Sequence, residues 1–185
     1  MRRTILEPAD VSATALAELK AWLGISRQNE DELLIGLLRA SLDVCEAFTG
    51  QAPLSQLIEE QMPTSAGRYA IASRPVSSLI VAQIVGLDGA QSALNPDKYE
   101  IEFQAIGNAC FTLLQSVEGQ AVAIRLRVGI ASDWETLPAA IKQGLIRLAA
   151  YHYRDRDRPG NAKKEVSAPS SVTALWRPWR TMRLQ

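Results

Sequence analysis

The 185-residue chain has a single histidine, His152, so any catalytic triad or imidazole acid–base chemistry would rest on that residue alone. It recurs at helical spacing with Ile141, Leu145, Leu148 and Ala149, which is the place of a core or interface histidine. No serine or cysteine stands in a nucleophile-elbow motif to pair with it. A small hydrolase built on His152 and a carboxylate would need a pocket that holds both. The carboxylates come in two pairs. Glu59 and Glu60 would point to opposite faces of a strand, and Glu100 and Glu102 would share a solvent face. Neither is a visible acid and base converging on one bond. Cys45 and Cys110 each stand alone among apolar neighbours, as buried free thiols do. Walker loops, dinucleotide fingerprints, calcium loops, HExxH and CxxC are all missing. The sequence therefore predicts no catalytic residue, no metal site, no cofactor and no enzyme.

What remains is recognition chemistry. Arg154, Arg156 and Arg158 alternate with Asp155 and Asp157. A phosphate-binding stripe does not interleave acids so regularly, and the pattern reads as ion pairing between subunits or a solvated helix end. The last segment, SVTALWRPWRTMRLQ, combines Trp176 and Trp179 with Arg177, Arg180 and Arg183. Tryptophan and arginine concentrate binding energy at protein interfaces, and they also stack on nucleic-acid bases. So short a tail cannot bury two indoles by itself, and its apolar groups require a partner surface on this chain or another. Twenty basic and twenty acidic residues cancel overall, but residues 1–60 carry 5 Lys/Arg against 10 Asp/Glu and residues 136–185 carry 10 against 3. An acidic front and a basic end favour assembly between proteins, whereas a plain nucleic-acid binder shows a net positive charge.

These residues need elements to position them. Residues 10–24 have helical spacing at Ala15, Leu16, Leu19 and Leu23, with Asp10 or Ser12 as the cap and Gly24 as the stop. A helix over 29–50 follows, with Asn29 and Glu32 read as a capping box and Leu34, Leu37, Leu38, Ser41, Leu42, Cys45 and Phe48 on one face. Residues 55–130 turn β-rich, broken by prolines and glycines. The alternation of Tyr99, Ile101 and Phe103, and of Val122, Ile124, Leu126 and Val128, predicts a small antiparallel sheet with one wet face. Gly86–Gly89 reads as the hairpin turn between its third and fourth strands. A last helix is expected over 136–153, with Pro138 in its first turn, and then a flexible linker and arm over 154–185. The fold class is thus α+β, mostly helical, in a single domain over 1–153. No run approaches the ~20 apolar residues of a membrane span, and MRRTILEPAD lacks the apolar core and cleavage site of a secretory signal.

Taken in order, several of these pieces resemble the head–tail connector, or adaptor, proteins of long-tailed bacteriophages and gene transfer agents. The opening helix with Leu19-Lys20 and Leu23 leads to the acidic Glu30-Asp31-Glu32, and a long helix closes on Glu46-Ala47-Phe48-Thr49-Gly50. Arg74-Pro75-Val76-Ser77-Ser78-Leu79 resembles the family's Pro-Val lead into a strand. Leu137-Pro138-Ala139-Ala140-Ile141-Lys142 through Ala149-Ala150-Tyr151-His152-Tyr153 resembles its last core helix, and Pro169-Ser170-Ser171-Val172 with Leu175, Pro178, Trp179 and Arg180 its closing signature. Two features depart from the pattern: Trp179 stands where a tyrosine is frequent, and Asp155 separates Arg154 from Arg156.

The resemblance implies a helical bundle with a β-rich insertion and an extended C-terminal arm. It implies a non-enzymatic homo-oligomer, commonly a ring of twelve, seated on the portal protein of a capsid and carrying the stopper or tail-completion protein. DNA would pass through the channel without sequence-specific binding. Such a protein belongs to the particle neck, is assembled in the bacterial cytoplasm and has no membrane contact. On this reading Val172, Leu175, Trp176, Arg177, Trp179, Arg180 and Arg183 anchor the arm to the portal. Glu30, Asp31 and Glu32 with Arg154, Arg156 and Arg158 make contacts between subunits. The alternative is a nucleic-acid-binding accessory protein that uses the Arg/Trp tail.

Overall fold

The computed structural model describes residues 2–155 and 168–180, apart from the side chain of Ile106. Within them are eight strands and four α-helices, in the order β1 (Arg2–Glu7), α1 (Ala13–Leu23), α2 (Asp31–Thr49), β2 (Gln56–Met62), β3 (Gly67–Ala70), β4 (Val76–Val85), β5 (Gln91–Ala93), β6 (Tyr99–Phe103), β7 (Ala109–Leu113), β8 (Ala121–Val128), α3 (Ala139–Asp155) and α4 (Ser170–Trp176). The chain forms two compact units, and each is discontinuous in sequence. One joins the residues up to Ala9 with Ser55–Ile130; the other joins Asp10–Leu54 with the described residues from Ala131 onward. The fold is mixed α+β, with nearly as much strand as helix.

In the helical unit the caps follow from local chemistry. Ser12 begins α1, its Oγ accepting the Ala15 amide at 3.3 Å. α1 and α2 both stop on a glycine in the left-handed region, Gly24 at φ 73° and Gly50 at φ 74°, where a side chain would be strained. The expected capping box at Asn29 and Glu32 does not form: α2 starts at Asp31, and the cap position, Glu30, makes no side-chain cap. Tertiary partners take these acids instead. Tyr153 of α3 donates its hydroxyl to Glu30 at 2.7 Å, and Lys20 of α1 pairs with Asp31 at 2.7 Å. The buried face of α2 is Leu34, Leu38, Ser41, Leu42, Cys45 and Thr49. The two hydroxyls on it are returned to the helix backbone, Ser41 to the Leu37 carbonyl and Thr49 to that of Cys45.

α3 begins one residue after Pro138, whose carbonyl accepts the Lys142 amide. Ile141, Gly144, Leu145, Ile146, Leu148, Ala149 and Ala150 are buried. His152, expected on that face, is exposed, with its ring edge-on to Tyr151. Burial ends at Ala150: His152 keeps the helical spacing, but it lies in the last turn, beyond the buried stretch of α3. Trp134, which the sequence reading gave no role, is buried in the lead-in to α3, with the Lys142 ammonium 5.7 Å from its ring centre.

The other unit holds two antiparallel sheets where the alternation suggested one. Their orders are β1-β2-β8-β4-β5 and β3-β7-β6. β1 was not anticipated at all. The Gly86–Gly89 turn does close a hairpin from β4, but into the short β5; Tyr99–Phe103 lies in the second sheet beside β7. Val122, Ile124, Leu126 and Val128 fill one face of β8, as their alternation requires. On β6 the pattern fails at Phe103, which is exposed.

Register separates the paired carboxylates of β2. Glu59 sits opposite Arg125 and pairs with it at 3.1 Å, while Glu60 sits opposite Ile124 on the buried face. There the Glu60 carboxylate accepts the Ser73 amide at 2.8 Å and the Ala72 amide at 3.2 Å, tying down the chain between β3 and β4. Glu100 and Glu102 are both exposed, as expected.

Both cysteines are free and buried. Burial first, then the nearby Glu46 charge, pushes the Cys45 thiol up to about 12. Only the thiolate reacts, so native Cys45 is expected to ignore a thiol-directed reagent at pH 8 and to react once denaturant opens the helices. Rapid labelling of Cys45 in native buffer, located by peptide mapping, would contradict this packing. No helix among the described residues is long and apolar enough to cross a membrane.

Candidate assembly surfaces

The C-terminal segment is where sequence reasoning expected an interface, and the structure divides it in two. Gly144 leaves a gap on α3 that has no side chain. The indole of Trp176 lies across it, with Nε1 donating to the Ile141 carbonyl at 3.3 Å. Phe48 of α2 meets the same indole at 6.2 Å between ring centres. Trp176 and Val172 are thereby buried within their own unit. The partner surface their apolar groups required is this chain's own α3, so these two are core residues and not free contact residues.

Beyond Trp176 a short 3-10 turn, Arg177–Trp179, is held from α2: Gln51 donates to the Trp179 carbonyl, and the Arg180 guanidinium lies 5.4 Å over the Phe48 ring. What the segment presents outward is Arg177 and Arg180, exposed, with Leu175 and Trp179 half-buried. Arg183 lies outside the described residues, as does residues 156–167 of the expected linker. The nucleic-acid reading needs both indoles on the surface for stacking, and Trp176 is not available for it.

Among the charged candidates, Glu30 and Asp31 are engaged with Tyr153 and Lys20 inside the unit. Glu32 and Arg154 are exposed. Arg156 and Arg158 lie outside the described residues. The structure adds two exposed apolar side chains in the helical unit. Trp22, at the end of α1, is 46% exposed with the Arg147 guanidinium 5.8 Å over its ring, and Leu33 in the first turn of α2 is exposed as well. Trp22 keeps the helical spacing of Ala15 and Leu19, so nothing in the periodicity marks it as exposed.

In the β unit the exposed apolar side chains include Ile5 and Leu6 on β1, Ile80 on β4, and Leu87 at the tip of the β4–β5 hairpin, which is 90% exposed. The outer face of the five-stranded sheet is polar. Arg127 reaches Glu7 at 3.4 Å, and Arg125 bridges Glu59 and Gln91. Glu102 is spent on an ion pair with Arg68. Among the described residues no group of three or more His, Cys, Asp or Glu side chains is placed to hold a metal ion.

Compared with solved structures, the whole chain superimposes on a chain of the neck of an empty GTA particle computed with C6 symmetry, with a TM-score of 0.76 at 21% identity, covering 100% of this chain and 98% of that one. This is the fold of a gene-transfer-agent neck chain. A chain of the virion of a native gene transfer agent particle matches with a TM-score of 0.73 at 23% identity, over 100% of this chain and 98% of that one. A chain of the neck of a native GTA particle computed with C12 symmetry matches with a TM-score of 0.73 at 23% identity, over 98% and 97%. No family model and no curated protein matches the sequence. Both units and the C-terminal segment fall within this neck-chain fold, since the match covers 100% of this chain and 98% of that one. The helices and antiparallel β-rich segment expected from the resemblance are present; the β segment holds two sheets, and Ser170–Trp176, expected in an extended arm, is a helix docked on α3.

Proposed function

We propose that this protein is a structural head–tail adaptor: a homo-oligomeric ring in the neck of a gene transfer agent or tailed phage particle, between the portal and the stopper or tail. The observation that carries this reading is the match to neck chains over 98–100% of this chain and 97–98% of theirs. In this role the protein works by geometry. The helical unit supplies a rigid body, and α4 with the 3-10 turn after it offers Arg177, Arg180, Leu175 and Trp179 to the portal. Exposed Glu32 and Arg154, and the exposed Trp22 and Leu33 side chains, are available to neighbours in the ring. A near-zero net charge suits a channel that DNA must traverse without strong phosphate clamps.

The test is the mass of the full chain alone and mixed with the portal protein of its own particle. A C-terminal truncation is a poor probe, because losing α4 uncovers the core under Trp176. The Arg177→Glu/Arg180→Glu variant leaves that core intact. The parent is expected to form a ring-sized complex on the portal, and the variant to bind at least about tenfold more weakly with an unchanged near-UV spectrum. A full chain that neither self-associates nor binds any portal or capsid component would overturn the adaptor reading.

A further inference from the structure

We infer that neighbouring copies in the ring join edge to edge through the five-stranded sheet, β1 of one copy lying parallel to β5 of the next. This rests on the ring reading above.

The sheet ends on β1 and β5, each paired with a single strand among the described residues. Every residue of both strands is exposed. The edges of the other sheet, β3 and β6, are half covered by comparison. Exposed edges carry unpaired backbone donors and acceptors and are templates for another strand. Here they are flanked by exposed Ile5 and Leu6 on one side and Leu87 on the other. A closed ring needs two different patches on each copy, because a contact of one patch with itself stops at a dimer. The two ends of one sheet meet that requirement and face away from each other.

Direction and charge then agree. All four steps from β1 to β5 are antiparallel, so β1 and β5 run the same way. Continuing the sheet head to tail therefore makes a parallel junction. That brings the start of β1, with Arg2 and Arg3, beside the start of β5, three residues after Asp88 of the hairpin. The reverse orientation would put Glu7 near Asp88 instead. With Arg2 level with Gln91, Thr4 lies level with Ala93. Both point to the polar face, Thr4 opposite Glu59 and Ala93 opposite Gln83. Ser92, opposite Ile84, points to the other face.

Cysteine pairs in the full chain, oxidised in the ring assembled on the portal, test the junction. Thr4→Cys/Ala93→Cys is expected to give a ladder of covalent multimers, and Thr4→Cys/Ser92→Cys at least tenfold less. Thr4→Cys alone and the parent, whose own cysteines are buried, should give none. Independently, Arg2→Asp should lower ring yield and Arg2→Asp/Asp88→Arg restore it. Rings of normal mass without a ladder or charge-swap rescue would overturn this junction and leave the ring standing. Covalent dimers from Thr4→Cys alone would show β1 pairing with itself and overturn it too. A parent that forms no ring removes both this junction and the reading beneath it.

Discussion

Gly144→Ala should destabilise the protein by about 2–4 kcal/mol, the opposite of what the same change does in an ordinary helix. In the middle of an exposed helix, glycine to alanine is favourable by about 1 kcal/mol, because glycine loses more backbone freedom and alanine is the best helix former. At this position an added Cβ would lie 2.2 Å from Trp176 Nε1 and 2.7 Å from Cε2. Neither the helix backbone nor a ring wedged between α3 and Phe48 can give that much, so the indole must leave. The cost then approaches that of deleting a fully buried tryptophan, about 3–5 kcal/mol, which outweighs the propensity gain. Urea denaturation measures the loss, and a red shift of the indole emission in native buffer reports the ejected ring. Trp176→Ala should give a similar loss, and Trp176→Phe a smaller one of about 1 kcal/mol for the hydrogen bond to Ile141. A Gly144→Ala protein as stable as the parent would mean that Trp176 does not depend on this gap.

The second large effect separates two adjacent residues of the same type. Glu60→Gln is expected to cost about 2–4 kcal/mol, and Glu59→Gln no more than about 1. Glu60 is buried and accepts two backbone amides, from Ala72 and Ser73. An amide side chain keeps one acceptor and turns an N–H₂ toward the other donor, leaving a polar group stranded away from water. Glu59 is also buried, but a glutamine there keeps an oxygen to accept from Arg125, whose side chain is one-third exposed, so no donor is stranded and solvent at the arginine screens part of the lost charge. Matched urea titrations of the two variants decide it. Equal losses would show that the chain between β3 and β4 is not held by Glu60.

The helices were legible in the sequence because their signals are local. A repeat of apolar residues and a glycine at each end suffice for α1 and α2, and a stripe from Ile141 to Ala150 for α3. Where local signals met distant partners, they lost. The Asn29–Glu32 box is a sound pattern, but Tyr153 and Lys20 claim the neighbouring acids across the unit. In the β region, alternation tells which residues share a face and says nothing about which strands pair, so one sheet was read where there are two. β1 escaped notice because RRTILE has no buried face to imprint a pattern: all six residues are exposed, and its pairing to β2 spans the whole of α1 and α2. The tail was legible by composition only. That two indoles needed a partner followed from their size; that Gly144 supplies the seat for one of them did not, because a glycine inside a helix reads locally as a weakness.

The interleaving of the two units also sets an order of events during synthesis. β1 leaves the ribosome well before its ladder partner β2, which follows only after α1 and α2. The helical unit begins at Asp10 and still lacks α3 and the Val172–Trp176 seal until the β unit has been made. The β unit has all its strands once Val128 is made, whereas the helical unit cannot close on a nascent fragment, and a chain released before Ser170 leaves the cleft at Gly144 open. α4, made after every strand, completes the unit that began at Asp10, so only a copy translated through Trp176 presents two finished bodies for incorporation.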